Sequence, residues 1–141
     1  MQKIVLDTDI VSEILKGRDL HVLERANTYS SNFSKFTFTS VTLLEILYGL
    51  ERIDAKVQIQ RAEALFSVNE EIVPDSGDYR LAATIAGSLD KSGKTIGLAD
   101  PLIAACAIRR GLTIATGNVS HFGFIRKVGY HLQIENWRDQ P

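Results

Sequence analysis

Short apolar runs rich in Ile, Val and Thr alternate with stretches of helical periodicity along the whole chain, and this alternation constrains the fold more than any other feature. "KIVLD" (3–7) reads as a first strand. "IVSEILKG" follows as a short helix, with Gly17 suited to its C-terminal cap. A second helix covers 19–30. "KFTFTSV" (35–41) has the aromatic and β-branched character of a strand. Helices are predicted over 42–53 and 56–68, then a short strand over 71–74, closed by Pro74. A helix over 76–93 ends near Gly93, and another spans 100–111. "LTIAT" (112–116) is a buried strand, and the last strand lies within 130–137. No element is assigned to 117–129.

Strands that alternate with helices pair in parallel through right-handed crossovers. The predicted fold class is therefore α/β, an α/β/α sandwich around a central parallel sheet of about five strands. The 141 residues suit a single domain over 1–141, with 45% apolar residues to supply a core. No apolar run approaches the roughly 18 residues that would span a membrane. "MQKIVLD" has no apolar h-region of a signal peptide. With a single cysteine, Cys106, no intrachain disulfide can form, and a cytoplasmic location is expected. Cys106 reads as a small buried apolar side chain. Sixteen Lys and Arg against seventeen Asp and Glu leave a net charge of −1. Such a balance gives no global attraction for a polyanion, so local cations or metal ions would have to hold one.

In parallel sheets, ligands bind beyond the carboxyl ends of the strands. Asp7 and Asp9 follow the first predicted strand, and Glu45 lies four residues past the second. Asp100 opens the helix that leads into "LTIAT". Thr116 ends that strand, and Asn118 and His121 follow it in "ATGNVSHF". A core strand does not need carboxylates at its tip. Carboxylates gathered at one edge repel unless cations join them, and hard oxygen ligands suit Mg²⁺ or Mn²⁺. Each acid also has a capping role to offer. Asp7 could simply end the strand and cap the helix that follows, and Asp9 is a good N-cap for "IVSEIL". Glu45 stands three residues after Thr42, the spacing of a capping box. Asp100 before Pro101 reads as an N-cap followed by a first-turn proline. Leu43, Leu44, Ile46, Leu47 and Leu50 would form the buried stripe of the helix that carries Glu45, with Thr42, Gly49 and Arg52 on its polar face. The metal reading rests on all the acids meeting at one edge.

"IVLDTDIVSEIL", "SVTLLEILYGL", "GLADPLIAACA" and "LTIATGNVSHF" resemble, in order, the four motifs of the PIN domain, and they cover nearly the whole chain. The compact length is similar to that of VapC-type toxins of prokaryotic toxin–antitoxin pairs. The resemblance implies an Mg²⁺- or Mn²⁺-dependent ribonuclease, usually a homodimer, inhibited by a cognate VapB-like antitoxin. It places Asp7, Glu45 and Asp100 at the three main acidic positions, as catalytic residues and metal ligands. Thr8 and Ser12 match small polar positions near the first acid, and Thr116 and Asn118 match those after the fourth strand. Asp9 stands where many members have Asn or Ser. His121 stands where the fourth motif often has Asp or Glu, and an imidazole adds no negative charge for a second ion. Cleavage of RNA to a 5′-phosphate and a 3′-hydroxyl is implied.

Lys16 and Arg18, just after the first motif, are candidate RNA contacts, as are Arg126 and Lys127 after the last. Trp137 and the tyrosines read as core or dimer contacts more readily than as base-stacking groups. Two rivals remain open. "VLDTDIV" also resembles the first motif of haloacid dehalogenase-type phosphatases, with Thr39 or Ser40 as the second-strand hydroxyl. Against that reading, the chain is short and Asp100 stands alone where that family has an acidic pair. The other rival is a catalytically dead PIN-like module that binds other proteins.

Overall fold

Five short parallel strands form one sheet: β1 (Ile4–Leu6), β2 (Thr37–Thr39), β3 (Glu70–Ile72), β4 (Thr113–Thr116) and β5 (Ile134–Asn136). Their order is β3-β2-β1-β4-β5. The structure is a computed structural model that describes residues 1–139. The expected α/β/α sandwich is what the chain forms. From β1 the sheet grows outward through β2 to β3, then resumes on the other side of β1 with β4 and β5. A switch point therefore lies between β1 and β4, where Val5 is in register with Ile114 and Leu6 with Ala115.

The described residues form seven helices: α1 (Thr8–Lys16), α2 (Leu20–Ser30), α3 (Ser40–Glu51), α4 (Lys56–Val68), α5 (Ser76–Lys91), α6 (Ala99–Arg110) and α7 (Val119–Lys127). Successive strand residues point to opposite faces, and the core divides accordingly. Val5 and Ile114 pack with α5, α6 and α7. Ile4, Leu6, Phe38 and Ala115 pack with α1 to α4 and with Trp137. Ala104, Ala105 and Ala107 are fully buried in α6. Their short side chains let that helix lie close on the sheet, and Cys106 is buried beside them as expected. Burial pushes its thiol pKa up to about 11. Trp137 is a core residue, with its ring centroid 6.0 Å from that of the buried Tyr29.

Several boundaries differ from expectation. The strands are shorter, because the helices begin almost at once: α3 starts at Ser40, not Thr42. Helix α7 occupies part of 117–129, where none was predicted. Its mid-helix Gly123 weakens the helical pattern, but Phe122 and Ile125 anchor one face in the core. Leu44 is 67% exposed, so it leaves the buried stripe, and the buried Thr42 takes a place facing inward. Gly17 and Gly111 cap α1 and α6 at φ of 66° and 65°, a conformation that a side chain resists. No helix among the described residues is long and apolar enough to cross a membrane.

Helices α5 and α6 are joined by one buried ionic knot. Asp78, whose side chain has no exposure, accepts from Arg110 at 2.8 and 2.9 Å and from Arg109 at 3.0 Å. The Arg110 bonds foremost hold its carboxyl far below the usual carboxylate range. Asp78→Ala leaves two guanidinium groups without their shared anion. Urea unfolding at pH 7 should show a loss of about 3 kcal/mol, against little change for substitution of the exposed Asp90.

Candidate active site

The β1 exit is the centre of the candidate site. Asp7 is 4% exposed. Its backbone N–H donates to Ala115 O (2.9 Å) as the last rung of the β1–β4 ladder. Its backbone is extended and its Oδ1 accepts from Thr8 N at 2.8 Å, so Asp7 is the N-cap of α1. The expectation for Asp9 is thereby corrected: it sits inside the first turn, because the helix starts directly at the strand tip. Asp7 Oδ2 accepts from Thr116 Oγ1 (2.8 Å), which in turn accepts from Asn118 N (2.8 Å). One buried threonine thus ties the exits of two neighbouring strands together.

Among the described residues, no salt bridge pairs Asp7 with a cation. Burial first, then the charges of Asp9 and Asp100, raise its pKa to about 7, against the hydrogen bonds from Thr116 and Thr8. Asp9 uses Oδ2 to accept from Gly117 N at 2.8 Å, and its Oδ1 is buried without a partner among the described residues.

Glu45 comes from the other bank. Thr39 caps α3 and Thr42 is three residues further on, so Glu45 lies in the second turn and the predicted capping box does not form. Its Oε1 accepts from Thr8 Oγ1 at 2.6 Å, and Thr8 Oγ1 is also bonded to Thr42 Oγ1 (2.9 Å). Asp100 is likewise not a cap. Leu98 holds that position, and Asp100 lies in the first turn of α6, where a helix N-terminus favours an anion. Asp100 Oδ2 is hydrogen-bonded to His121 Nδ1 at 2.8 Å, with the Asn118 amide nitrogen 2.9 Å from the same ring atom.

Asp7, Asp9, Glu45, Asp100 and Asn118 line one cleft of about 820 Å³. Thr116 and His121 are not in its lining but contact Asp7 and Asp100, which are. Lys16 and Arg18 line the same cleft, as does Ser12. Arg126 and Lys127 do not. They end α7, and Arg126 lines a separate hollow with Gln2 and Thr113, at the start of β1 and β4. The helix that went unpredicted carries them to the opposite edge of the sheet. In their place the cleft has Arg52 and Arg61, with Gln58. Arg52 was legible by helical spacing: Glu45, Gly49 and Arg52 are i, i+4 and i+7 on one face of α3. Arg138 has no such signal. Its Nη2 meets Glu13 Oε1 at 3.0 Å and its Nε lies 3.5 Å from Asp9 Oδ2.

Among the described residues, no three His, Cys, Asp or Glu side chains form a ready cluster for a metal ion. Each outer carboxylate is held by a neighbour, Glu45 by Thr8 and Asp100 by His121. The PIN domain family matches residues 4–122. This chain belongs to the PIN domain family. It is 35% identical to the tRNA(fMet)-specific endonuclease VapC of Shigella flexneri, over 97% of this chain and 99% of that protein. Ribonuclease VapC2 of Haemophilus influenzae (strain ATCC 51907 / DSM 11121 / KW20 / Rd) is 32% identical over the same shares. The DNA-bound VapBC structure from Salmonella typhimurium has a chain that superposes with a TM-score of 0.80 at 29% identity. That match covers 97% of this chain and 99% of that one. The PIN match runs through the stretch that also resembles the phosphatase motif, and the VapC relatives extend it over nearly the whole chain.

The raised pKa of Asp7 has a consequence for stability. Between about pH 4 and 7 the folded chain keeps a proton that the unfolded chain has lost. Without divalent cations, stability should therefore fall as pH rises through that window. Asp7→Asn removes the buried charge and keeps the cap acceptor. In a chelator at pH 8 it should be more stable than the parent, by on the order of 2–4 kcal/mol. The difference should vanish near pH 4. Thermal melts at the two pH values measure it.

Proposed function

We propose that this PIN-domain chain is a metal-dependent endoribonuclease, the toxin of a toxin–antitoxin pair. Asp7, Glu45 and Asp100 are its catalytic carboxylates and metal ligands, and Mg²⁺ or Mn²⁺ is the ion. The observation that carries this reading is Asp7, a buried carboxylate among like charges at the mouth of a cleft. Such a group is stabilised by a dication and destabilised by its absence. The donor set fits, since every candidate ligand is a hard carboxylate oxygen. When bound, the cation supplies an activated water and takes up charge on the scissile phosphate.

The chain's own residues have distinct tasks. Thr116 fixes the Asp7 carboxylate by its Oδ2, and Thr8 N holds the other oxygen, so the group cannot swing. Thr8 orients Glu45 by the 2.6 Å bond. His121 and Asn118 hold Asp100 from behind. Lys16, Arg18, Arg52 and Arg61 sit on the cleft walls, where they would pair with RNA phosphates. The overall charge of −1 thus conceals a local basic lining beside the acids. Relatives named VapC and the VapBC complexes support a VapB-like antitoxin as partner. A homodimer in the cytoplasm completes the proposal.

Glu45→Gln keeps the acceptor for Thr8 and loses the charge. RNA cleavage in Mn²⁺ should drop at least about a hundredfold, with the melting temperature almost unchanged. Asp7→Asn should be equally inactive while folded. A catalytically dead binding module predicts the opposite: no saturable Mn²⁺ site, and no cleavage for either variant to lose.

A further inference from the structure

Residues of the fifth strand's exit reach the same edge of the sheet. Trp137 is buried, and Arg138 N donates to Asn136 Oδ1 at 3.0 Å, so the chain beyond β5 is anchored where Arg138 begins. The Arg138 side chain then crosses Gly117. A Cβ at Gly117 would lie 2.3 Å from Arg138 Cδ and 2.7 Å from Asp9 Oδ2. Only a residue without a side chain lets the arginine pass at its present height. The guanidinium meets two acids one turn apart on α1, Glu13 at 3.0 Å and Asp9 at 3.5 Å. Asp9 Oδ2 is doubly engaged, because Gly117 N also donates to it. Across the cleft, Asp100 Oδ2 is engaged by His121.

We infer that Arg138 is a positioning residue that, with His121, restricts the carboxylate centre to a single firmly bound divalent ion. The inference rests on the metal reading proposed above. Two acids beyond Asp7, Glu45 and Asp100 could draw in a second cation, Asp9 and Glu13. Arg138 already sets a positive charge against both. The position after β4 that could carry a further carboxylate carries an imidazole instead, and that imidazole holds an oxygen of Asp100. A second dication would approach a guanidinium that already neutralises Asp9 and Glu13. The first is held by Asp7, Glu45 and the remaining oxygen of Asp100.

Calorimetry and electron paramagnetic resonance with Mn²⁺ alone, on the full chain without RNA, count the ions. The parent should bind one ion tightly. Arg138→Gln frees Asp9 and Glu13, and it should tighten a second ion about tenfold, the effect of one unit charge in a well-screened site. Arg138→Lys keeps the charge and should keep a single ion. His121→Asp leaves Arg138 in place, so it tests the other half even where Arg138→Gln fails to fold. It too should tighten a second ion. Two equal ions in the parent, or a folded Arg138→Gln and His121→Asp with no gain, overturn the inference and leave the ribonuclease reading standing. No bound ion in the parent overturns both.

Discussion

The bond between Thr116 Oγ1 and Asp7 Oδ2 joins the exits of β1 and β4, and the candidate site depends on it. It lies at the point where the sheet changes its direction of growth. Helices that leave a sheet on either side of such a point open a crevice at the carboxyl edge. Here the crevice begins with a carboxylate that is almost wholly buried. Burial makes Asp7 costly as a bare anion, and the two hydrogen bonds it accepts only partly offset that cost. The same bonds fix both its oxygens. A group held this way is ready to receive a cation without having to move.

The rest of the centre is arranged by intermediaries. Thr8 connects α1 to α3 by reaching Glu45 and Thr42. His121 and Asn118 connect α7 to α6 through Asp100. Arg138 connects the C-terminal segment to α1 through Asp9 and Glu13. Each link crosses between different elements of the fold. Stability and site geometry are therefore coupled: the contacts that close the carboxyl edge of the sheet also aim its acids. Elsewhere, the knot of Asp78 with Arg109 and Arg110 does structural work alone. Its charges are fully paired, whereas those at the candidate centre are in excess of their partners.

Net charge was a poor guide to the local charge of the cleft. A net charge of −1 argued against a polyanion ligand, yet Lys16, Arg18, Arg52 and Arg61 gather in the cleft. Their distribution matters more than their sum, because screening confines an exposed charge to its near surroundings. The acids that line the cleft subtract from the total without removing the positive charges on its walls.

The alternation of runs was sufficient to determine the α/β/α sandwich, since β-strands separated by helices must pair in parallel. It also determined which edge to inspect, and the order of the motifs identified Asp7, Glu45 and Asp100 as the acids to follow. Local signals were only partly right at the helix starts, where Asp7 does cap α1 as one local reading allowed. Asp9, Glu45 and Asp100 all have good capping chemistry, but Asp7, Thr39 and Leu98 hold the N-cap positions, because the packed strands set where each helix can begin. Gly123 hid α7, whose Phe122 and Ile125 are recruited by the core, and with it the true position of Arg126 and Lys127. Arg138 could not be inferred at all: no periodicity links residue 138 to Asp9. Propensity and spacing act over a few residues, while the site is assembled from strand exits that only the closed sheet brings together.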